Sequence, residues 1–242
     1  MRGVGTKTEG SVETVGDSIR RAASFPFFST GSVGFDALLG GGYRAGTLTE
    51  IFGRSNSGKS QLAMQAVLDA ARGGKKSLYI DTEGSFRPER LEQMAEARGW
   101  GAEGMLERVV YVRSDSSSEQ MEAIRQMQSR GATASCELVV VDTLTRNFSV
   151  ELPGRSNLSS RQGALGIHLS EMARDAYVNG RAYILTNRVT FGPSHDVSIG
   201  GTTVEQLVHA SVMLEREGTK VRATVQPSGG RVVMDLGGAG VT

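Results

Sequence analysis

Eight consecutive residues, Gly53-Arg54-Ser55-Asn56-Ser57-Gly58-Lys59-Ser60, carry the most specific chemistry in this chain. They match the spacing G-x-x-x-x-G-K-[S/T], directly after a strand-like run and directly before a helical pattern. That context turns the spacing into a phosphate site. The glycines let backbone N–H groups converge on phosphate oxygens, and the first helical turn adds free donors and a positive dipole end. Lys59 can reach the β- and γ-phosphates of a nucleoside triphosphate, and the Ser60 hydroxyl can ligate Mg²⁺. ATP with Mg²⁺ is therefore the expected ligand, and Gln61, next along the helix, is counted in the same set.

Two carboxylates extend the site. Asp142 closes the run Leu138 to Asp142, and open parallel sheets bind ligands at the C-terminal edge of their strands. There Asp142 would face the metal and its waters, with Ser60 on the other side. Glu83 follows the run Ser77 to Asp81 and lands on the same edge, where it would polarise an attacking water. Taken alone, Asp142 could equally cap a loop, and Glu83 could sit on a solvated turn.

Arg146, Arg155, Arg161 and Arg188 also follow strand-like runs at this edge. Arginines on loops suit the phosphates of single-stranded DNA, in salt-sensitive and sequence-tolerant contact. The alternative is a solvated loop whose arginines pair with Glu151 or Glu171. A further reading has Arg188 or Arg155 reaching the nucleotide of an adjacent subunit. His168 and His195 lack metal-ligand spacing, so no structural metal is expected.

Positioning these residues requires a particular order of elements. Strands are expected at Leu48 to Phe52, Ser77 to Asp81, Val109 to Val112, Leu138 to Asp142 and Ala182 to Thr186. Helices are expected at Ser60 to Arg72, Pro88 to Arg98, Ser118 to Arg130 and Ser160 to Val178. Continuous apolar runs such as Leu138 to Val141 fit strands covered on both faces. Val212 to Glu215, Val221 to Val225 and Val232 to Asp235, joined by Gly-containing turns, read as a late meander. The fold class is α/β, a mostly parallel sheet flanked by helices with antiparallel strands added at one edge.

The 242 residues suit one large domain, with 38% hydrophobic and 22% charged residues. A net charge of +1 leaves any nucleic-acid reading to the placement of the arginines. The single cysteine, Cys136, excludes an intramolecular disulfide. Met1 to Gly16 has no apolar core of a signal peptide, and no run approaches the roughly 18 apolar residues of a membrane span. A cytoplasmic, nucleoid-associated protein is expected, with residues up to about 16 disordered, a short helix over Asp17 to Ala23 and an aromatic segment at Phe25-Pro26-Phe27-Phe28. That segment is either a lid on the core or a handle for a neighbouring subunit.

The run Tyr79-Ile80-Asp81-Thr82-Glu83-Gly84-Ser85-Phe86-Arg87-Pro88-Glu89-Arg90 closely resembles the RecA-like core of the archaeal RadA recombinases and their eukaryotic counterparts. Matches continue in order at Ser29-Thr30-Gly31, Leu38 to Gly42, Val141-Asp142-Thr143, Leu158 to Gln162, Thr186 to Val189 and His209-Ala210-Ser211. The resemblance covers residues 25–242 and implies a RecA-like ATPase core there, behind a flexible segment 1–24. It implies that Glu83 activates water, that Arg90 lies against the adenine and that Asp142 is the metal-side aspartate. His209 resembles the residue that senses the γ-phosphate across a subunit boundary. Arg146 to Arg161 is placed like the first DNA-facing loop and Thr190 to Gly201 like the second.

Departures narrow the expectation. The chain leaves no room for the N-terminal helical DNA-binding domain, and no Phe-x-x-Ala linker is evident. Arg188 stands where the family has a glutamine that relays the γ-phosphate state, and an arginine cannot accept a hydrogen bond. The aspartate expected near Pro227 is missing. These features are most like a RadA paralogue (RadB-like), an accessory ATPase of homologous recombination and DNA repair that binds single-stranded DNA and/or a recombinase, with homo-oligomerisation open. Two alternatives stand beside it: a recombinase-binding mediator that uses ATP as a switching ligand, and a KaiC-like regulatory ATPase.

Overall fold

The computed structural model describes residues 13–127, 133–192 and 196–242. Helix α1 (Val15–Ala23), capped by the Thr14 hydroxyl, leads into strand β1 (Phe27–Phe28), helix α2 (Val33–Leu38) and strand β2 (Tyr43–Arg44). Strands and helices then alternate: β3 (Leu48–Gly53), α3 (Lys59–Arg72), β4 (Lys76–Asp81), α4 (Pro88–Ala97), β5 (Val109–Arg113), α5 (Ser117–Gln126) and β6 (Cys136–Asp142). Helices α6 (Arg146–Glu151) and α7 (Leu158–Asn179) precede β7 (Ala182–Asn187). A small hairpin, β8 (Val189–Phe191) with β9 (Asp196–Ser198), is followed by α8 (Gly201–Leu207). Strands β10 (Ala210–Glu217), β11 (Lys220–Gln226), β12 (Arg231–Gly237) and β13 (Gly240–Val241) complete the chain.

The nine-stranded sheet runs in the order β13-β12-β11-β10-β3-β7-β6-β4-β5. From β10 to β5 every neighbour is parallel, and β10 to β13 form the antiparallel meander at one side. β3 and β7 are buried at all positions, as a strand covered on both faces must be. One face packs on α3 through Leu62, Val67 and Leu68. The other packs on α5 and α7 through Ile124, Leu165, Leu169 and Met172. Each such side chain contributes about 2 kcal/mol of apolar burial.

Register is what assembles the site. Phe52 is level with Asn187, Leu214 with Gly53, and Asp81 with Asp142. Parallel strands in this register bring the chain segments that follow them to one edge, the ligand edge of such sheets.

Several local differences from the sequence expectation have physical reasons. The segment after Arg146, expected as an open loop, forms α6 because Phe148 is buried and Asn147 Nδ2 donates to the carbonyls of Ser114 and Ser116. Glu151 accepts from the Ser117 N–H and hydroxyl, Glu171 pairs with Arg125, and Arg161 donates to the Leu152 carbonyl, contacts other than the arginine–glutamate pairs of the solvated-loop reading. Thr190 to Gly201 contains most of a hairpin and the first residue of α8; His195 lies outside the described residues. So do the first twelve residues and residues 128–130 of the expected α5. Helix α1 bonds to α7 through Ser18–Tyr177 (2.6 Å) and Arg21 to the Val178 carbonyl (2.6 Å). Phe25 packs edge-on against Tyr177, Phe28 is buried, and Phe27 is exposed.

His168 is fully buried in α7, with Nε2 3.2 Å from Gln120 Nε2. Burial, helped by the Arg125 charge, pushes it down to about 4. Its folded form stays neutral while the unfolded chain takes up a proton below about pH 6.5. Its stability contribution is therefore complete above about pH 6.5 and is lost as pH falls towards 4. Urea unfolding at pH 7 and 4.5 should show about 2 kcal/mol more acid loss in the wild type than in His168→Gln. Equal losses would refute this.

Candidate active site

The loop between β3 and α3 is shaped by backbone constraints that its residues meet. Gly58 has φ +103° as the cap of α3, and Asn56, a type that tolerates the left-handed region, has φ +63°. A Cβ on Gly53 would lie 2.3 Å from the Leu214 carbonyl oxygen, so only glycine lets β10 close beside the loop. Lys59 opens α3 and folds back, donating from Nζ to the carbonyls of Gly53 (2.9 Å) and Arg54 (2.8 Å). Burial pulls its pKa down; Asp142 and Glu83 oppose that, and Arg188 adds to it. These four charged groups therefore share one field. Asn56, Gly58, Lys59, Ser60, Gln61, Arg216 and Leu236 line a cavity of about 250 Å³ at the loop.

Asp142 is buried and accepts from the Tyr79 hydroxyl (2.6 Å) and from the hydroxyl of Thr186. Burial raises its pKa, while Thr186, Tyr79 and Ser60 each lower it by hydrogen bonding. Ser60, in the first turn of α3, and Asp142, at the end of β6, offer the oxygens suited to Mg²⁺, which keeps several waters and takes its other ligands from phosphates. Among the described residues no group of three or more His, Cys, Asp or Glu could hold a metal ion. The donor set therefore fits a phosphate-borne Mg²⁺ rather than an all-protein metal cage.

Glu83 accepts at Oε1 from the Thr143 hydroxyl (2.7 Å) and from Arg188 Nη2 (2.8 Å) and Nε (3.0 Å). Burial pushes Glu83 up, but Arg188, Thr143 and the charge of Arg146 outweigh it and hold the carboxyl below its ordinary value. Its loop is fastened by Asp81. That buried carboxylate accepts the N–H groups of Glu83 (3.0 Å), Gly84 (2.8 Å), Ser85 (3.3 Å) and Phe86 (3.1 Å), and the Tyr111 hydroxyl (3.2 Å).

The other sequence-selected residues fall in different places. Arg90, on α4, donates to Gln61 Oε1 (3.3 Å) and to the Gly237 carbonyl (3.0 Å), beside the loop helix. Arg54 pairs with Asp196 of β9 (2.5 Å), linking the loop to the hairpin. Arg155 is exposed between α6 and α7. Arg161 donates to the Leu152 carbonyl (2.8 Å), closing the end of α6. Arg161 borders the hairpin side, where it lines a second cavity of about 310 Å³ with Phe148, Leu158, Val197 and Ile199. His209 is not brought to this site: its Nδ1 accepts from the Leu48 N–H (3.1 Å) at the opposite end of β3. Five residues of strand, about 16 Å, separate it from its own chain's loop.

Three contributors escaped the sequence reading. Asp81 could have been found as a strand-ending aspartate before a Gly-Ser loop, the signature of a side chain that caps its own turn. Arg216, which donates to the Asn56 carbonyl (3.2 Å), and Asp196 carry no local signal. They reach the loop only through the pairing of β10 with β3 and through the hairpin.

A sequence profile described as Rad51 matches residues 21–231. The DNA repair and recombination protein RadA of Ignicoccus hospitalis is 38% identical over 205 residues, covering 80% of this chain and 62% of that protein. The proteins of the same name from Metallosphaera sedula and Aeropyrum pernix are each 37% identical, over 206 and 199 residues, covering 80% of this chain and 64% and 61% of theirs. The chain thus spans less than two thirds of the length of these relatives. Among the described residues no helix is long and apolar enough to cross a membrane. The mostly parallel sheet with its helices and antiparallel edge is that of a RecA-like core, and the chain belongs to the Rad51 family.

Proposed function

We propose that residues 25–242 form an ATPase core that binds ATP at Gly53 to Ser60 and serves homologous recombination and DNA repair in the accessory manner of a RadB-like paralogue. The observation that carries this reading is that the register of β3, β6 and β7 brings the loop with Lys59, the buried Asp142 and the paired Glu83 and Arg188 to one edge of the sheet. Ser60 and Asp142 would hold Mg²⁺, which when bound neutralises phosphate charge. The loop N–H groups and Lys59 bind the phosphates, and Arg90 and Gln61 border the approach to the nucleotide. Glu83, held ionised, orients a water whose oxygen bonds to the γ-phosphorus while the bond to the β–γ bridging oxygen breaks. ADP and inorganic phosphate leave, and the water proton passes to phosphate or solvent. Measuring ADP release from Mg²⁺–ATP tests the reading; a protein that binds no nucleotide would end it.

Arg146, Arg155 and Arg161 lie on the α6–α7 side of the same edge, which supports single-stranded DNA as a partner in a nucleoid setting. Three phosphate contacts give a slope of about −2 in log affinity against log salt. Arg155→Ala should flatten that slope by about 0.7 without changing sequence preference. A slope unchanged in a titration between 50 and 200 mM salt would remove Arg155 from the interface. A second reading, a recombinase-binding mediator with negligible turnover, is favoured by the Arg188 contacts that occupy Glu83 Oε1. His209 reaching a neighbour's nucleotide would require a homo-oligomer.

A further inference from the structure

Arg188 directs both Nε and Nη2 onto one oxygen of Glu83, which also accepts the Thr143 hydroxyl. The Arg188 backbone is fixed: its N–H donates to Asn187 Oδ1 (2.9 Å) and its carbonyl accepts the Ile199 N–H (3.0 Å). Its side chain is half exposed, at 53%, and an ion pair this open to water is weak. The guanidinium therefore leaves Glu83 at small cost, by a side-chain swing that needs no movement of the hairpin. Arg188 also stands beside the loop: the residue before it, Asn187, is level with Phe52, and the residue after Phe52, Gly53, holds Lys59 through its carbonyl. A terminal phosphate, with more charge and three acceptor oxygens, is a stronger bidentate partner for arginine than one carboxylate oxygen already shared with the Thr143 hydroxyl.

We propose that Arg188 is a positioning residue shared in alternation between Glu83 and the terminal phosphate of a bound nucleoside triphosphate, so that triphosphate binding releases Glu83 to orient water. The proposal rests on the ATP reading and deepens it. It makes the Glu83–Arg188 pair a discriminator of triphosphate from diphosphate, because ADP offers no terminal phosphate to draw the guanidinium away. It also assigns to arginine a task different from that of a glutamine relay: the side chain competes for an anion instead of accepting a hydrogen bond.

The test is a binding cycle. Dissociation constants for a fluorescent ADP and a fluorescent non-hydrolysable ATP analogue, both with Mg²⁺, are measured for wild type, Glu83→Gln, Arg188→Gln and the double variant. Glu83→Gln removes the competing charge and should tighten the analogue about fivefold with ADP unchanged, the scale of one exposed ion pair. Arg188→Gln should weaken the analogue alone, and in that background the gain from Glu83→Gln should shrink severalfold. The cycle separates this from simple carboxylate–phosphate repulsion, which would persist without Arg188. An equal Glu83→Gln gain in both backgrounds, or equal effects on ADP and analogue, overturns the proposal while leaving the ATP site standing. A wild type that binds neither nucleotide overturns both.

Discussion

Lys59→Ala is expected to lower affinity for Mg²⁺–ATP by a hundredfold or more and to bring turnover to background. The ammonium is the principal positive charge inside the loop and the one that Asp142 and Glu83 both feel. In a partly desolvated site a charge-assisted contact with phosphate is worth several times its value in water. The fold should survive. Truncation removes two bonds to loop carbonyls at a mouth open to water, and it also removes a buried cation that is costly to hold there. Thermal unfolding should therefore change by less than about 1 kcal/mol while nucleotide binding collapses. Turnover equal to wild type would overturn the assignment of the loop, and binding lost together with the fold would leave Lys59 a structural residue.

Asp81→Ala is expected to cost about 4 kcal/mol of stability, with a loss of turnover larger than the unfolded fraction explains. Four backbone N–H groups and the Tyr111 hydroxyl end on this carboxylate, which is completely buried. Hydrogen bonds to a charged acceptor are worth roughly 1.5–3 kcal/mol each, discounted here because water can reach the loop once the side chain is gone. The same bonds set the path of residues 83–86, so Glu83 loses its aim along with its support. Asp81→Asn keeps one acceptor oxygen but turns an amide N–H₂ towards backbone donors, and should fall between wild type and alanine. Urea unfolding and turnover measured on the folded fraction check both effects. A loss below about 1 kcal/mol with turnover intact would show that the loop holds its shape without Asp81.

The two predictions depend on different levels of information. Lys59 was legible because its chemistry is local: eight adjacent residues between a strand and a helix define the backbone geometry that a phosphate needs. Glu83 and Asp142 were legible as strand-end carboxylates, since any open parallel sheet delivers them to one edge. The strand and helix alternation was also readable, because β3, β6 and β7 are short apolar runs and α3 and α7 are longer amphipathic ones. Most boundaries shifted by one or two residues, as fraying ends do; α5 ends at Gln126, four residues before the expected Arg130.

Side-chain pairing was not legible. The partners of Arg188, Arg54 and Arg216 stand 105, 142 and 160 residues away in the chain, and no local pattern encodes such a contact. Helix α6 was missed because it is only six residues long and is stabilised by Asn147 and Phe148 docking on neighbours rather than by its own propensity. The sequence by itself determined a phosphate loop, the sheet edge on which it sits and the carboxylates that join it, since each follows from residue types within one supersecondary unit. Only the tertiary structure decided that Arg188 lies on Glu83, that Asp81 holds the Glu83 loop and that His209 stands at the far end of β3. Those facts depend on strand order and register, which are settled by how the whole sheet buries its two faces.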